Sequence, residues 1–391
     1  MDEHVMRTYV RQPQVFVSGE GAVLRDAEGR RWLDFLGGIA VSALGHGHAG
    51  LAAALRDQAG KLLHVSNLFR HPYTEDVATR LCRLAGMEAV FFANSGAEAN
   101  ECALKLARKA MRLRNTPERT GFVALEGGFH GRTMGALSVT SGAKYREPFG
   151  PLVPGVTFVP RDDLRALEQA LATRPAALIV EPIQGEGGVH ELPHEWQRAA
   201  RALCDASGTL LIHDEVQCGT GRTGRFLCGS WAGVTPDLVT LAKPLAGGLP
   251  MGACLVRAGL EATFVPGDHG STFAGGPFVL RAAQVLLEEL ENGLLDNVAA
   301  RGAQLREGLL ALQREFPRVR EVRGRGLIVG LRVDGAAELQ KQLYANGLVT
   351  NCTAGDVIRL LPPYVIRSQD VDEALAILRT TLRAAPTPTP A

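Results

Sequence analysis

The chain carries the stretch Leu211-Ile212-His213-Asp214-Glu215-Val216-Gln217 and, closing the next apolar run, Leu241-Ala242-Lys243-Pro244-Leu245-Ala246-Gly247-Gly248-Leu249-Pro250. Each is a short apolar segment that ends on a chemically capable side chain, an acidic pair in the first and a lysine in the second. Working outward, comparable runs fall at 89–93, 122–125, 177–180, 209–213, 238–241 and 252–256, separated by longer helical patterns. That alternation predicts an α/β fold with a mostly parallel sheet covered by helices. A lysine at the end of a strand is placed to form a Schiff base, and a carboxylate at the end of the preceding strand can hold a cationic pyridine nitrogen. The pair points to pyridoxal 5′-phosphate chemistry.

The rest of the chain divides around this core. Residues 1–47 read as an N-terminal segment of short extended pieces, with strands on either side of the turn 26–30. Residues 48–276 form the expected large cofactor-binding domain. Long helical patterns at 277–292 and 295–316, an apolar run at 327–331 and a helix at 336–346 make 277–383 an interdomain helix and a smaller α+β domain, to which the N-terminal segment also belongs. The tail 384–391, Ala-Ala-Pro-Thr-Pro-Thr-Pro-Ala, has little apolar surface to bury and is expected to be disordered.

Composition excludes several classes of function. Among 391 residues, 46% are hydrophobic and 21% charged, enough for a sizeable core. The 42 basic and 41 acidic residues are mixed along the chain and leave a net charge of +1, so neither nucleic acid nor an anionic membrane is an expected partner. Seven cysteines without a CxxC pair argue against a disulfide framework or a structural zinc site, and no metal is expected. No basic segment followed by an apolar stretch opens the chain, and no run of eighteen apolar residues occurs, so a cytoplasmic location is expected.

Four further strings carry chemistry, each with a plainer alternative. Asn94-Ser95-Gly96-Ala97-Glu98-Ala99-Asn100 opens a helix after a strand, and its small residues let backbone N–H groups approach a phosphate. Ser95 with Glu98 is equally an ordinary capping box. In Gly127-Gly128-Phe129-His130-Gly131-Arg132, Phe129 can cover a planar ring and Arg132 can bind a carboxylate. They also read as a core phenylalanine and a solvated arginine, and His130 as a structural histidine. Glu181-Pro182-Ile183-Gln184-Gly185-Glu186-Gly187-Gly188 brings two carboxylates and three glycines to a strand's end, where the crevice of an open α/β sheet lies. Gly219-Thr220-Gly221-Arg222-Thr223-Gly224 matches a dinucleotide fingerprint, but no helical period follows and Val239 stands about where an acidic ribose ligand is needed. A nicotinamide-dependent dehydrogenase is therefore set aside. Asp214 and Lys243 have bland readings too, as a capping acid and a surface lysine. The convergence of all these signals on one sheet edge favours the functional ones.

Together with His269-Gly270-Ser271-Thr272-Phe273, these strings resemble the class III (ω-amino acid) aminotransferases of fold type I. The resemblance runs from Gly38-Ile39-Ala40-Val41 to Val357-Ile358-Arg359-Leu360-Leu361-Pro362-Pro363. It implies Lys243 as the Schiff-base lysine and proton-moving base, with Asp214 keeping the pyridine nitrogen protonated. It also implies Gln217 on the ring hydroxyl, Val216 and Phe129 on the two ring faces, and Ser95, Gly96 and Ala97 on the phosphate. Ser271 and Thr272 would reach the phosphate of the other subunit of a homodimer. Arg132 would bind the carboxylate far from the reacting amine and Arg359 the α-carboxylate of glutamate. Glu186 would pair with Arg359 when an ω-amine substrate leaves it empty. Gly276 stands where the family more often has Asn, which removes an amide that would help cap the next helix.

The resemblance further implies a ping-pong transfer from N2-acetylornithine to 2-oxoglutarate, yielding glutamate and serving arginine synthesis. Ornithine, 4-aminobutyrate, N-succinyl-diaminopimelate and a carrier-linked lysine remain alternative donors. A regulatory protein that binds the cofactor with little turnover remains an alternative of another class.

Overall fold

A computed structural model describes residues 4–384. Three antiparallel strands lead the chain: β1 (Phe16–Glu20), β2 (Val23–Asp26) and β3 (Arg31–Asp34). Asp26 shapes the turn between β2 and β3, accepting from the Arg30 amide at 2.8 Å and the Trp32 indole at 2.7 Å.

The central sheet uses β4 (Ala89–Ala93), β5 (Phe122–Leu125), β6 (Val156–Val159), β7 (Ala177–Val180), β10 (Leu210–Asp214), β11 (Leu238–Leu241) and β12 (Gly252–Val256), while β8 (Ile183–Gln184) and β9 (His190–Glu191) form a separate two-stranded hairpin. Its order is β4-β12-β11-β10-β7-β5-β6, all parallel except β12. Burial on both faces explains why β5, β7, β10, β11 and β12 read as apolar runs, whereas the edge strand β6, Val-Thr-Phe-Val, is half-exposed and is not among them. Phe122, Ala124, Ile179 and Ile212 pack beneath the helix Gly96–Leu113, whereas Val123, Leu125, Leu178 and Leu211 face the helices Leu164–Ala172 and His194–Ser207. The strand expected at 209 begins at Leu210, where the ladder with Ala177 starts, and Thr209 instead shares its hydroxyl with Arg119 and Pro175.

A four-stranded antiparallel sheet follows, built from β13 (Val319–Arg325), β14 (Ile328–Val333), β16 (Asn351–Thr353) and β17 (Val357–Leu360) in the order β13-β14-β17-β16. The remaining strand, β15 (Leu348–Val349), pairs in parallel with β3, so residues far apart in sequence complete one sheet. Helices Pro277–Glu289 and Leu295–Glu315 are separated by a wide turn in which Gly293 has φ of 103°. Gly276 is the N-cap of the first and offers it no side-chain bond. Of the expected tail 384–391, Ala384 instead ends the last helix, Ser368–Ala384, and 385–391 lie outside the described residues. The string 219–224 forms turns rather than the start of a helix, and its Arg222 is fully buried, donating to the Leu327 and Pro362 carbonyls.

Because β4, β11, β10, β7 and β5 run the same way, their carboxyl ends open on one edge, and the loops that begin at Asn94, Glu126, Glu181, Glu215 and Ala242 converge there. At the opposite edge, Asp237 is almost fully buried, accepts from the Leu211 amide and pairs with Arg201 and Arg257, each at 2.7 Å. Without Asp237 the buried Leu211 amide loses its acceptor, while Arg201 keeps Asp205 and Arg257 is partly exposed. Asp237→Ala is expected to lower unfolding free energy by about 1–3 kcal/mol, read from denaturant melts; an unchanged midpoint would show that the Asp237 contacts add nothing.

Candidate active site

The floor of the crevice is Asp214, which ends β10 and is buried. Its Oδ2 accepts from Asn100 Nδ2 at 2.8 Å and lies 2.7 Å from His130 Nδ1, while Oδ1 accepts from the Val216 amide at 3.1 Å. Asn100 is fixed in turn, donating to the His130 carbonyl at 2.7 Å and accepting from the Thr240 hydroxyl at 2.7 Å. Burial would lower the His130 pKa, but the Asp214 bond and charge, with Glu181 adding, raise it instead. The buried Asp214 carboxylate is thus surrounded by hydrogen-bonding groups on both oxygens.

Lys243 follows β11 as the first residue of a tight turn, at φ of 40°, a left-handed conformation that costs a non-glycine residue on the order of 1–3 kcal/mol. Burial lowers its pKa; Asp214 and Glu186 oppose the shift and Arg359 reinforces it. Lowering favours the neutral amine, the nucleophilic form.

Ser95 caps the helix Gly96–Leu113, its hydroxyl accepting from the Glu98 amide at 3.2 Å. Glu98 turns back to the Asn94 amide at 2.8 Å, not to Ser95, and the first-turn amides of Gly96 and Ala97 have no acceptor within the helix. A Cβ at Gly96 would lie 2.6 Å from Val216, so only glycine lets the two approach this closely. Phe129 is anchored through its amide to Glu181 at 2.8 Å, and Glu181 also accepts from Gly185 at 3.2 Å. Burial lifts Glu181 to about 7, His130 opposing and Asp214 adding. Exposed Arg132 lies over the Tyr145 ring at 4.1 Å and the Phe129 ring at 5.4 Å.

Glu186 and Arg359 form the second charged pair. Arg359 Nη1 donates to Glu186 at 2.6 Å and to Gln217 Oε1 at 2.9 Å, its Nε donates to Asn351 at 3.2 Å, and its Nη2 is buried with no partner. Gln217 returns a bond from Nε2 to Glu186 at 3.2 Å. Burial would raise the Glu186 pKa, but Arg359 and Gln217 hold it below the ordinary value.

A cavity of about 420 Å³ is lined by Ser95, Gly96, Ala97, Phe129, Arg132, Glu186, Asp214, Val216, Gln217 and Lys243, with Asn100, His130 and Glu181 among its other walls. Arg359 is one bond behind the lining. Ser271 stands at the rim, accepting from Asn94 Nδ2 at 2.9 Å, and Thr272 is exposed outside the cavity. Sequence reasoning gave no role to Asn100, Glu181 or Tyr145. Asn100 lay within a string already singled out, and its distance from Ser95 places it one turn into the helix, over the sheet.

The family described as aminotransferase class III matches residues 5–382. An acetylornithine aminotransferase of Caldanaerobacter subterraneus is 43% identical over 97% of this chain and 97% of its own length. A mitochondrial acetylornithine aminotransferase of Alnus glutinosa is 46% identical over 96% and 85%. Among solved structures, an ornithine aminotransferase of Toxoplasma gondii with pyridoxal phosphate partially occupying its active site superposes with a TM-score of 0.93, at 35% identity, over 98% of this chain and 92% of that one. The chain belongs to the class III aminotransferases and is a pyridoxal 5′-phosphate-dependent enzyme. The residues present fit that cofactor: a buried carboxylate for a ring nitrogen, free helix amides for a phosphate, a lysine of lowered pKa, and Val216 and Phe129 for the ring faces.

Beside Asp214, Glu215 is fully buried and accepts from the Cys228 and Gly229 amides at 2.6 and 2.7 Å. Burial, with those two bonds opposing and the Asp214 charge adding, raises its pKa to about 7. A carboxyl whose folded pKa lies above its unfolded one contributes stability that is complete at low pH and lost as pH rises through about 7. Glu215→Gln, which cannot ionise, is expected to be less stable than wild type at pH 5, with the gap narrowing towards pH 8. A gap independent of pH in denaturant melts would mean that Glu215 ionises alike in the folded and unfolded states.

Proposed function

We propose that the enzyme moves the terminal amino group of N2-acetyl-L-ornithine to 2-oxoglutarate, releasing N-acetyl-L-glutamate 5-semialdehyde and L-glutamate, a step in arginine synthesis. The observation that carries this is the buried Arg359 guanidinium with Glu186 on one side and an unpartnered Nη2 on the other. One pocket can then accept two unlike substrates. An amine without a carboxylate at that position leaves Arg359 neutralised by Glu186, whereas glutamate displaces Glu186 and takes the guanidinium itself.

When bound, pyridoxal phosphate supplies the aldehyde that accepts the amino group and the electron sink that lets the carbon–hydrogen bond break. The chain does the rest. Lys243 Nζ would take the proton from the substrate carbon and pass it on to the cofactor within the same half-reaction, and would carry a proton in the opposite direction in the second. Asp214, in hydrogen-bond contact with Asn100 and His130, would pair with the protonated ring nitrogen. Gln217 would serve the ring hydroxyl, Val216 and Phe129 the two ring faces, and Ser95, Gly96 and Ala97 the phosphate. Arg132 binds the carboxylate far from the reacting amine.

Ser271 and Thr272 serve the phosphate of a second copy in a homodimer. Support comes from the exposed apolar side chains Leu68, Phe69 and Phe273 beside them, joined by Asn67, which donates to the Ser271 and Ala274 carbonyls at 3.1 and 3.0 Å. Sedimentation of a single monomeric species at micromolar concentration would overturn the dimer. The same reading divides the chain into a large domain, 48–276, and a smaller one made of 1–47 with 277–383, which the β3–β15 pairing supports. No helix among the described residues is long and apolar enough to cross a membrane, which fits a cytoplasmic place for the enzyme.

The ornithine aminotransferase likeness favours free ornithine as the second reading. Adding each amine to the cofactor-loaded enzyme without keto acid decides between them: the visible cofactor band should fall fastest with N2-acetylornithine, and faster loss with ornithine, 4-aminobutyrate or N-succinyl-diaminopimelate would change the donor. Lys243→Ala should lose turnover by several orders of magnitude and release the cofactor on gel filtration; retained turnover would remove Lys243 from the chemistry.

A further inference from the structure

Arg359 and the group that fixes Glu186 are carried on one hairpin. β16 and β17 pair antiparallel, with Asn351 opposite Arg359 and Thr353 opposite Val357. From β16, Asn351 holds Arg359 Nε, and the buried Thr353 hydroxyl donates to the main-chain carbonyl of Glu186 at 2.6 Å. Glu186 itself lies between Gly185 and the pair Gly187-Gly188, the last at φ of 105°, a backbone with no side chain to hold it in place. A Cβ at Gly185 would strike the Gln217 carboxamide, so no larger residue can stiffen the loop there. With its carbonyl tied to Thr353, Glu186 can leave Arg359 by rotating its side chain while the loop stays in register with β17. Without that tie, the glycine-rich loop is free to shift away from β16, Glu186 is no longer preset against Arg359, and the guanidinium is more open to a substrate carboxylate.

We propose that Thr353 is a positioning residue that presets Glu186 against Arg359 and thereby sets how readily the site admits a carboxylate at Arg359. The inference rests on the reading of Glu186 and Arg359 as the pair that tells the two substrates apart. It assigns to a hydroxyl outside the cavity lining a share in the balance between the two half-reactions. The net worth of a buried hydrogen bond sets the size of the effect at about threefold to tenfold.

The test uses the cofactor-loaded enzyme and calorimetric binding of two unreactive acids. Glutarate needs both arginines, whereas pentanoate can be held by Arg132 alone. Thr353→Val should bind glutarate about threefold to tenfold more tightly, leave pentanoate unchanged, and slow the terminal-amine half-reaction relative to the glutamate one. Thr353→Ser, which keeps the hydroxyl, should behave as wild type. Equal shifts for both acids, or a serine variant no better than the valine one, would reduce Thr353 to a packing role and overturn the proposal. Glu186→Ala is measured alongside. If it tightens glutarate and Thr353→Val does not, the Thr353 inference falls while the pair stands; if neither does, the reading of the pair falls and the inference with it.

Discussion

A single buried carboxylate, that of Asp214, organises this protein. Asp214 sits at the end of the central strand of a sheet covered on both faces, where an isolated carboxylate would be costly enough to take up a proton. It is held by donors drawn from three separate elements: Asn100 from the first helix of the crevice, His130 from the loop after β5, and its own following amide at Val216. Those elements can meet only if the strand order brings β4, β5 and β10 to the same edge. The large sheet and the site are therefore two descriptions of one constraint.

Around that carboxylate the ionisable groups are sorted by environment. Lys243 is pushed towards its neutral form by burial, while Glu186 is held ionised by Arg359. Glu181 and Glu215, equally buried but lacking a cationic partner in hydrogen-bond contact, rise to about 7. The carboxyls thus differ by whether a guanidinium offsets their burial, as at Glu186, or only backbone amides do, as at Glu181 and Glu215. The second charged centre, Arg359, is reached from Glu186, Gln217 and Asn351, which lie in three different stretches of chain.

Much of this was legible in the sequence, and the reason is physical. Strands β5, β7, β10, β11 and β12 are buried on both faces, so they are written as unbroken apolar runs that no loop would tolerate. The cavity residues lie directly after those runs, where the strand ends predict them. What could not be read depends on distant pairing. β13 is Val-Arg-Glu-Val-Arg-Gly-Arg, a half-exposed strand whose charges hide it, and Thr353 matters only because β16 lies against β17 next to the Glu186 loop. Asn100 was visible as part of a string, but its task follows from Thr240 on β11 lying beneath it, and two segments so far apart carry no mutual signal in a single sequence.

The short parallel contact between Leu33-Asp34 and Leu348-Val349 has a consequence for how the chain is made. On the ribosome, β1 to β3 emerge long before β15, and the free edge of β3 has no strand to meet until Leu348 and Val349 have been synthesised. Trp32 and Leu33, both buried in the finished molecule, must wait through that interval, since Tyr344 and Leu348 are among the side chains that cover them. Closing so long a loop is slow and leaves a strand edge open to other nascent chains. The large sheet, complete by residue 256, can form earlier. The strands that end on Asp214 and lead to Lys243 are thus synthesised before the hairpin that carries Arg359.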